Sequence, residues 1–162
     1  MATINAITDI RSVDLSRFRE EAQRAQHRII AKLIEQWETG ENTFGKRHER
    51  FWGYFIGDEL VGIGGINEDP YLKQPAYGRM RHLWVLEPFR RNGIGRALVS
   101  QAEAFAKQHY EWMTLRTPAD GSADAFYAKL GFQRCDWLDS VSHVKSVRNG
   151  AQSSTRPCPQ PS

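Results

Sequence analysis

Arg90-Arg91-Asn92-Gly93-Ile94-Gly95-Arg96 lies between a strand-like run ending near Leu86 and a helix-like run opening near Ile94. Two glycines one residue apart let the backbone curl without a Cβ clash. A helix beginning at Ile94 leaves its first N–H groups without intrahelical acceptors, and they point back into the loop. Three arginines add positive charge. Together these suit a pyrophosphate or similar dianion; a solvated basic turn is the plainer alternative. The absence of Gly-Lys-Ser/Thr argues against a Walker-type nucleotide loop. Leu98 stands where a dinucleotide fingerprint would place its third glycine.

Upstream of this loop, Arg79 to Leu86 reads as a strand. Period-two alternation puts Met80, His82, Trp84 and Leu86 on one face, with Arg79, Arg81, Leu83 and Val85 on the other. Downstream, Ile94, Leu98, Ala102 and Phe105 form the buried stripe of a helix reaching His109. Trp112 to Thr117 follows as a strand, so the segment is a βαβ unit with parallel strands. Nearer the N-terminus, Thr3 to Asp9 is a strand and Asp14 caps a helix from Leu15. The stripe from Ala22 through Ile29, Ile30, Leu33 and Trp37, broken only by Gln26, extends an amphipathic helix to about Trp37. Glu38 to Arg50 is a polar loop. Phe51 to Ile56 and Leu60 to Asn67 form a hairpin around Gly57-Asp58. Gly62, Gly64 and Gly65 in its second strand signal a bulge or a close backbone approach.

Beyond the βαβ unit, Asp120 or Ser122 caps a short helix through Leu130, and Gly131 suits the left-handed position that ends it. Phe132 to Cys135 and Val141 to Val147 close the fold as a strand pair. The expectation is one α/β domain over residues 1–148, with a mixed, mostly antiparallel central sheet and helices on both faces. Residues 149–162, rich in Ser, Gln and Pro, read as a disordered tail.

A chain of 162 residues is enough for one domain with its own core. Its net charge of +3 suits an anionic ligand but gives little support for a nucleic-acid partner. No apolar run approaches the roughly 20 residues of a membrane span, and the first residues lack a secretory pattern. Cys135 and Cys158 have no Cys-x-x-Cys partner or neighbouring His cluster, which argues against a disulfide framework or a metal site. A cytoplasmic protein is the default expectation.

Three features, taken in order, resemble the GNAT superfamily of acetyl-coenzyme-A-dependent N-acetyltransferases. They are Arg81-His82-Leu83-Trp84-Val85 running into Glu87-Pro88-Phe89-Arg90-Arg91, then Arg90-x-x-Gly93-x-Gly95 with Ala97-Leu98, then Ala125-Phe126-Tyr127-Ala128-Lys129-Leu130-Gly131-Phe132. Tyr127 stands 32 positions beyond Gly95. The likeness runs from about Ile4 to Val147. It is closer still to small bacterial members of ill-defined substrate that carry a terminal His-Val strand, here His143-Val144. The resemblance implies a cofactor site made by Leu83, Trp84, Val85, Arg90, Arg91, Asn92, Gly93, Ile94, Gly95 and Arg96. Backbone groups of Leu83 and Val85 would bind the pantetheine arm, and N–H groups from Arg91 to Arg96 the pyrophosphate. It implies Tyr127 as general acid and a homodimer as an option. Asp120 stands where many relatives carry an Asn that contacts the cofactor arm, and a plain helix cap is its other reading.

Acetyl transfer to an amine makes three demands. A lysine-like amine of pKa ~10.4 is neutral only about once in 2500 molecules at pH 7 and must lose its proton. The oxyanion needs a preplaced donor, worth about 3 kcal/mol. The departing thiolate needs a proton, and a tyrosine near ~10 lies close enough to a thiol near ~8.5 to supply it. No base is evident, because Arg79 and Arg81 cannot act as one. His82 falls on the core face, and Glu68 and Asp69 read as turn residues, with reach to the acceptor mouth as their other reading; a chain of waters is the leading expectation for the base. Arg79 and Arg81 suggest an acceptor bearing a carboxylate or phosphate, with solvent exposure as the competing account; Arg116 on the neighbouring strand suggests the same, with pairing on the sheet as its alternative. The leading expectation is a small-molecule or peptide amine acceptor, acetyl-CoA as co-substrate and no metal. The alternatives are a macromolecular acceptor (a protein terminus or lysine, or an aminoacyl-tRNA) and a non-catalytic acyl-CoA sensor.

Overall fold

The computed structural model describes residues 1–148. Seven strands and four α-helices follow the order β1 (Ala2–Ala6), α1 (Ser16–Arg24), α2 (Ile29–Thr39), β2 (Arg50–Ile56), β3 (Glu59–Glu68), β4 (Tyr77–Val85), α3 (Ile94–His109), β5 (Trp112–Leu115), α4 (Asp124–Lys129), β6 (Gln133–Arg134) and β7 (His143–Ser146). The sheet order is β1-β2-β3-β4-β5-β7-β6. The pairs β1–β2, β2–β3, β5–β7 and β6–β7 are antiparallel, whereas β4–β5 is parallel, as a βαβ unit requires. This is the mixed, mostly antiparallel α/β fold expected. The tail from residue 149 lies outside the described residues.

The described residues divide into two compact units, Met1–Ile66 with Arg81–Ala102, and Asn67–Met80 with 103–148. In the first, the core gathers Phe18, Ile30, Leu33, Phe51, Ile63 and Leu86 from α1, α2, the β2–β3 hairpin and the end of β4. The single helix expected from Leu15 to Trp37 is in fact two. Gln26, the residue that interrupts the apolar stripe, takes a left-handed φ of 55°, and α2 restarts after Arg28. His27 Nδ1 accepts from the Ile29 N–H at the new helix start. The hairpin glycines answer close approach, as expected. A Cβ on Gly62 would lie 2.9 Å from Ile94 Cγ2, and one on Gly65 2.8 Å from ring atoms of Phe44 and Phe51.

The second unit has a smaller core around Tyr77, Cys135, Val141 and Val144. It also holds a buried polar knot. Asp69, fully buried, accepts from the Tyr71 and Leu72 N–H groups, from Thr114 Oγ1 and from Arg79 Nη1. Arg79 Nη1 also donates to Ser140 O at 2.9 Å, and its guanidinium lies 4.7 Å from the Tyr71 ring centroid. The donors gathered on Asp69 and the two acceptors on Arg79 Nη1 are what make so dry an ion pair tolerable.

Candidate active site

The residues expected to act fall into two groups, one in each unit. In the first unit, β4 runs into a 3-10 turn over Glu87–Phe89 and then into the arginine-glycine loop. Arg91 (φ 67°) and Gly93 (φ 79°) are both left-handed, and α3 begins at Ile94. Both precede the start of α3, whose first N–H groups have no intrahelical acceptor and face back toward this turn. Nothing lies within 4 Å of where a Gly93 Cβ would project, so its glycine answers backbone conformation and not crowding. Ile94 and Leu98 are buried and seat the helix start, while Arg91, Asn92 and Arg96 are exposed. Asn92 Nδ2 closes the loop by donating to Phe89 O and Arg90 O. The observed span of α3, Ile94–His109, is the one its apolar stripe predicts.

A buried carboxylate supports this loop, and sequence reading missed it. Glu21, on α1, accepts from Trp84 Nε1 at 3.1 Å and from the Glu87 N–H at 2.8 Å, with Arg90 Nη2 3.6 Å away. Arg90 Nε donates to Val85 O at 2.7 Å, and its guanidinium stacks 5.2 Å from the Trp84 ring. Arg90 is therefore committed to the framework of the loop, and Trp84 to Glu21. The only signal was the charge of Glu21 amid the buried stripe Phe18–Ala22, which spacing alone does not distinguish from a solvated position.

Strand β4 also departs from simple alternation, because His82 sits at φ 58°. It is 6% exposed, facing Phe44 edge-on at 6.1 Å, with no hydrogen-bond partner on either ring nitrogen among the described residues. Desolvation, helped by the Arg81 charge, pushes its pKa down to about 3, against a small opposing pull from the Ile29 backbone. His82 is a neutral core histidine.

In the second unit, Tyr127 is 7% exposed on α4, and among the described residues no group hydrogen-bonds its hydroxyl. Its ring packs against Phe126, Phe132 and His143, with centroids 4.8, 5.5 and 5.7 Å away. Burial raises its pKa to about 12, well above the ~10 assumed from sequence. His143, 2% exposed, joins Asp124 Oδ1 through Nε2 at 3.1 Å and Ser142 Oγ through Nδ1 at 2.8 Å. Ser142 Oγ also accepts the Thr117 N–H, and its one proton can go to His143 Nδ1 or to Leu115 O.

Three expected positions are corrected. Arg79, read as facing an acceptor, is buried and bound to Asp69 and Ser140. Asp69, read as a turn residue, does hold the turn but is also the centre of that knot. Asp120 accepts from the Ser122 N–H in a local turn, which lowers its pKa, and α4 starts only at Asp124. Arg116 is exposed and Arg81 half-buried. Among the described residues, no cluster of three His, Cys, Asp or Glu is placed to hold a metal, and no helix is long and apolar enough to cross a membrane.

Comparison with known proteins places this geometry. Residues 6–132 match the model of the acetyltransferase (GNAT) family. An uncharacterized N-acetyltransferase of Shouchella clausii is 38% identical over 89 residues, which are 51% of this chain and 50% of that protein. One of Halalkalibacterium halodurans is 33% identical over 89 residues, 51% of this chain and 49% of its own. The chain thus spans about half the length of these curated relatives. Among solved structures, a provisionally assigned acetyltransferase from Exiguobacterium sp. 255-15 superposes with a TM-score of 0.81 at 22% identity, over 90% of this chain and 93% of that one. An Escherichia coli GNAT family N-acetyltransferase in complex with CoA gives 0.66 at 18% identity, over 91% and 82%.

Proposed function

We propose, from the premise that this chain belongs to the acetyltransferase (GNAT) family, that it transfers an acetyl group from acetyl-CoA to a primary amine of a small molecule or peptide. The observation that carries the reading is the loop, with left-handed Arg91 and Gly93 followed at once by the start of α3. The N–H groups of residues 91–96 would hold the pyrophosphate, and among the described residues nothing beyond its chain neighbours lies within 4 Å of where a Gly93 Cβ would project. Arg91 and Arg96 add charge there, whereas Arg90 acts on the loop itself. Backbone groups of Leu83 and Val85 would take the pantetheine arm; the Val85 carbonyl is already engaged by Arg90, so its N–H is the group to offer. Acetyl-CoA supplies the activated thioester.

Tyr127 would serve the departing sulfur. At a pKa of about 12 it stays protonated through the neutral range. Full transfer to a thiolate of pKa ~8.5 would be uphill by roughly 5 kcal/mol. Its contribution is therefore a hydrogen bond from Oη to the developing negative charge. No side chain stands out as base: His82 is too weakly basic at about 3, and the amine proton leaves through water. With Arg79 withdrawn, Arg81 and Arg116 are the arginines left to favour an anionic acceptor.

Free-thiol release from acetyl-CoA against a panel of amines tests this, with Tyr127→Phe beside the wild type. Amine-dependent release that falls at least ~10-fold in the variant is the expected result, in keeping with the loss of one hydrogen bond to developing charge. Failure to bind acetyl-CoA by calorimetry would overturn the reading of the loop. Binding without release to any amine would turn the assignment toward a macromolecular acceptor or an acyl-CoA sensor.

A further inference from the structure

Helix α4 cannot hold Tyr127 in place by itself. It has six residues, its N-cap Ala123 offers no side-chain cap, and a helix this short does not persist in isolation. Nor is the tyrosine tethered by its own hydroxyl, which has no partner among the described residues. Its position depends on what grips the helix and what lies against the ring.

Three side chains from the following strands do the gripping. Arg134 Nη1 reaches Asp124 Oδ1 at 2.9 Å, Lys145 Nζ reaches Leu130 O at 2.7 Å, and His143 Nε2 reaches Asp124 Oδ1 at 3.1 Å. They are not equivalent. The Arg134 side chain is 59% exposed, and exposed pairs of this kind hold little. Lys145 grips only the C-terminal end, at Leu130, six residues past Asp124 and three beyond Tyr127. His143 is buried, and its backbone is paired on both sides, to Leu115 of β5 and to Arg134 of β6. It is also the only one of the three whose ring packs on Tyr127.

The hydrogen bonds around His143 fix its tautomer. Leu115 O already receives the Ser142 N–H at 2.9 Å, and the Ser142 hydroxyl lies closer to His143 Nδ1 (2.8 Å) than to that carbonyl (3.3 Å). Asp124 can only accept, so a neutral His143 ring carries its proton on Nε2, facing Asp124, and Nδ1 accepts from the Ser142 hydroxyl. A neutral ring with both nitrogens engaged cannot flip without breaking two bonds. We propose that His143 is a positioning residue for Tyr127: it fixes the ring by direct contact and, through Asp124 three residues earlier, the rotation of α4 that aims the hydroxyl. This rests on the assignment of Tyr127 as donor to the departing sulfur.

A double-mutant cycle tests it on the full chain. His143→Leu keeps the bulk and removes the donor to Asp124; His143→Gln can restore that donor. The expected result is a kcat loss in His143→Leu of ~10-fold or more, up to the ~10² that a small misplacement can cost. KM for acetyl-CoA stays unchanged, His143→Gln returns most of the rate, and the Tyr127→Phe/His143→Leu pair is no slower than Tyr127→Phe alone. If Tyr127→Phe is slow but His143→Leu runs at the wild-type rate, or if the two losses multiply, His143 does not act through Tyr127 and the inference falls. If Tyr127→Phe itself runs at the wild-type rate, the donor assignment has failed first and takes the inference with it. Should His143→Leu fail to fold, Asp124→Ala breaks the same clamp at a half-exposed position and enters the same cycle with the same readings.

Discussion

His82 and His143 are buried to nearly the same degree, one in each unit, yet they live in opposite chemical circumstances. His82 has neither nitrogen bonded among the described residues and a left-handed backbone; His143 has both nitrogens engaged and a regular strand around it. Burial lowers the pKa of both, but Asp124 pulls His143 back up, while Arg81 pushes His82 further down. The contrast extends to their surroundings. The arginine-glycine loop after β4 is shaped by backbone conformation, with left-handed residues at 82, 91 and 93 and one carboxylate beneath it. The setting of Tyr127 is shaped by side chains reaching from β6 and β7. A site made of backbone answers to glycine and φ; a site made of side chains answers to partners distant in sequence.

The sharpest way to break that contrast is to remove the one carboxylate under the loop. Glu21→Ala strands the part-buried Trp84 and Glu87 N–H donors, and an orphan donor costs ~1–3 kcal/mol when fully buried and less here, so a loss of roughly 2–3 kcal/mol is expected in urea unfolding. Weaker acetyl-CoA binding by calorimetry should accompany it. Affinity that survives the full loss of stability would show that the loop holds its shape by backbone alone.

Acid gives the next largest effect. The unfolded chain protonates His82 near 6.5 and the folded chain only near 3, so the unfolded state binds more protons between those values. The stability tied to a neutral His82 is complete above pH 6.5 and is lost as pH falls toward 3, by about 2 kcal/mol at pH 5. His143, also lowered, adds in the same direction. Urea midpoints at pH 7 and pH 5 measure the loss, and His82→Asn, which tolerates the left-handed backbone, should remove most of it. An unchanged slope in that variant would move the acid sensitivity to His143 and the second unit.

The same division explains what could be read from the chain. Helix α3 was legible to the residue because Ile94, Leu98 and Ala102 repeat on one face and glycines precede them. The hairpin at Gly57-Asp58 and the left-handed stop at Gly131 were legible for like reasons, since local rules fix them. The break at Gln26 was not, because a left-handed turn at a glutamine carries no glycine to announce it. His82 and Arg91 hide the same conformation behind ordinary side chains. Side-chain networks fared worse. Asp69 meets Thr114 across 45 positions and His143 meets Asp124 across 19, and nothing in local spacing says that such residues will meet. Strand alternation turned Arg79 toward an acceptor or solvent, yet its carboxylate partner lay ten residues upstream across a turn.

The mildest test probes the backbone device directly. Gly93 is left-handed with open space where a Cβ would stand, so Gly93→Ala introduces conformational strain and no clash. That strain is worth ~1–2 kcal/mol, or about a tenfold rise in the acetyl-CoA Kd where the free variant loop relaxes out of this shape and binding must restore it. Gly93→Asn should recover part of the loss, because a short polar side chain tolerates the left-handed region better than alanine does. Gly62→Ala makes the complementary comparison at the other end of the same helix start. Its Cβ would crowd Ile94 Cγ2 at 2.9 Å and Leu98 Cδ1 at 3.1 Å, so it strains packing and leaves the loop's φ values alone. If Gly93→Ala binds as tightly as the wild type while Gly62→Ala does not, the seat of α3 sets affinity and the left-handed turn is incidental. The reverse order would show that the glycine conformation itself holds the anion.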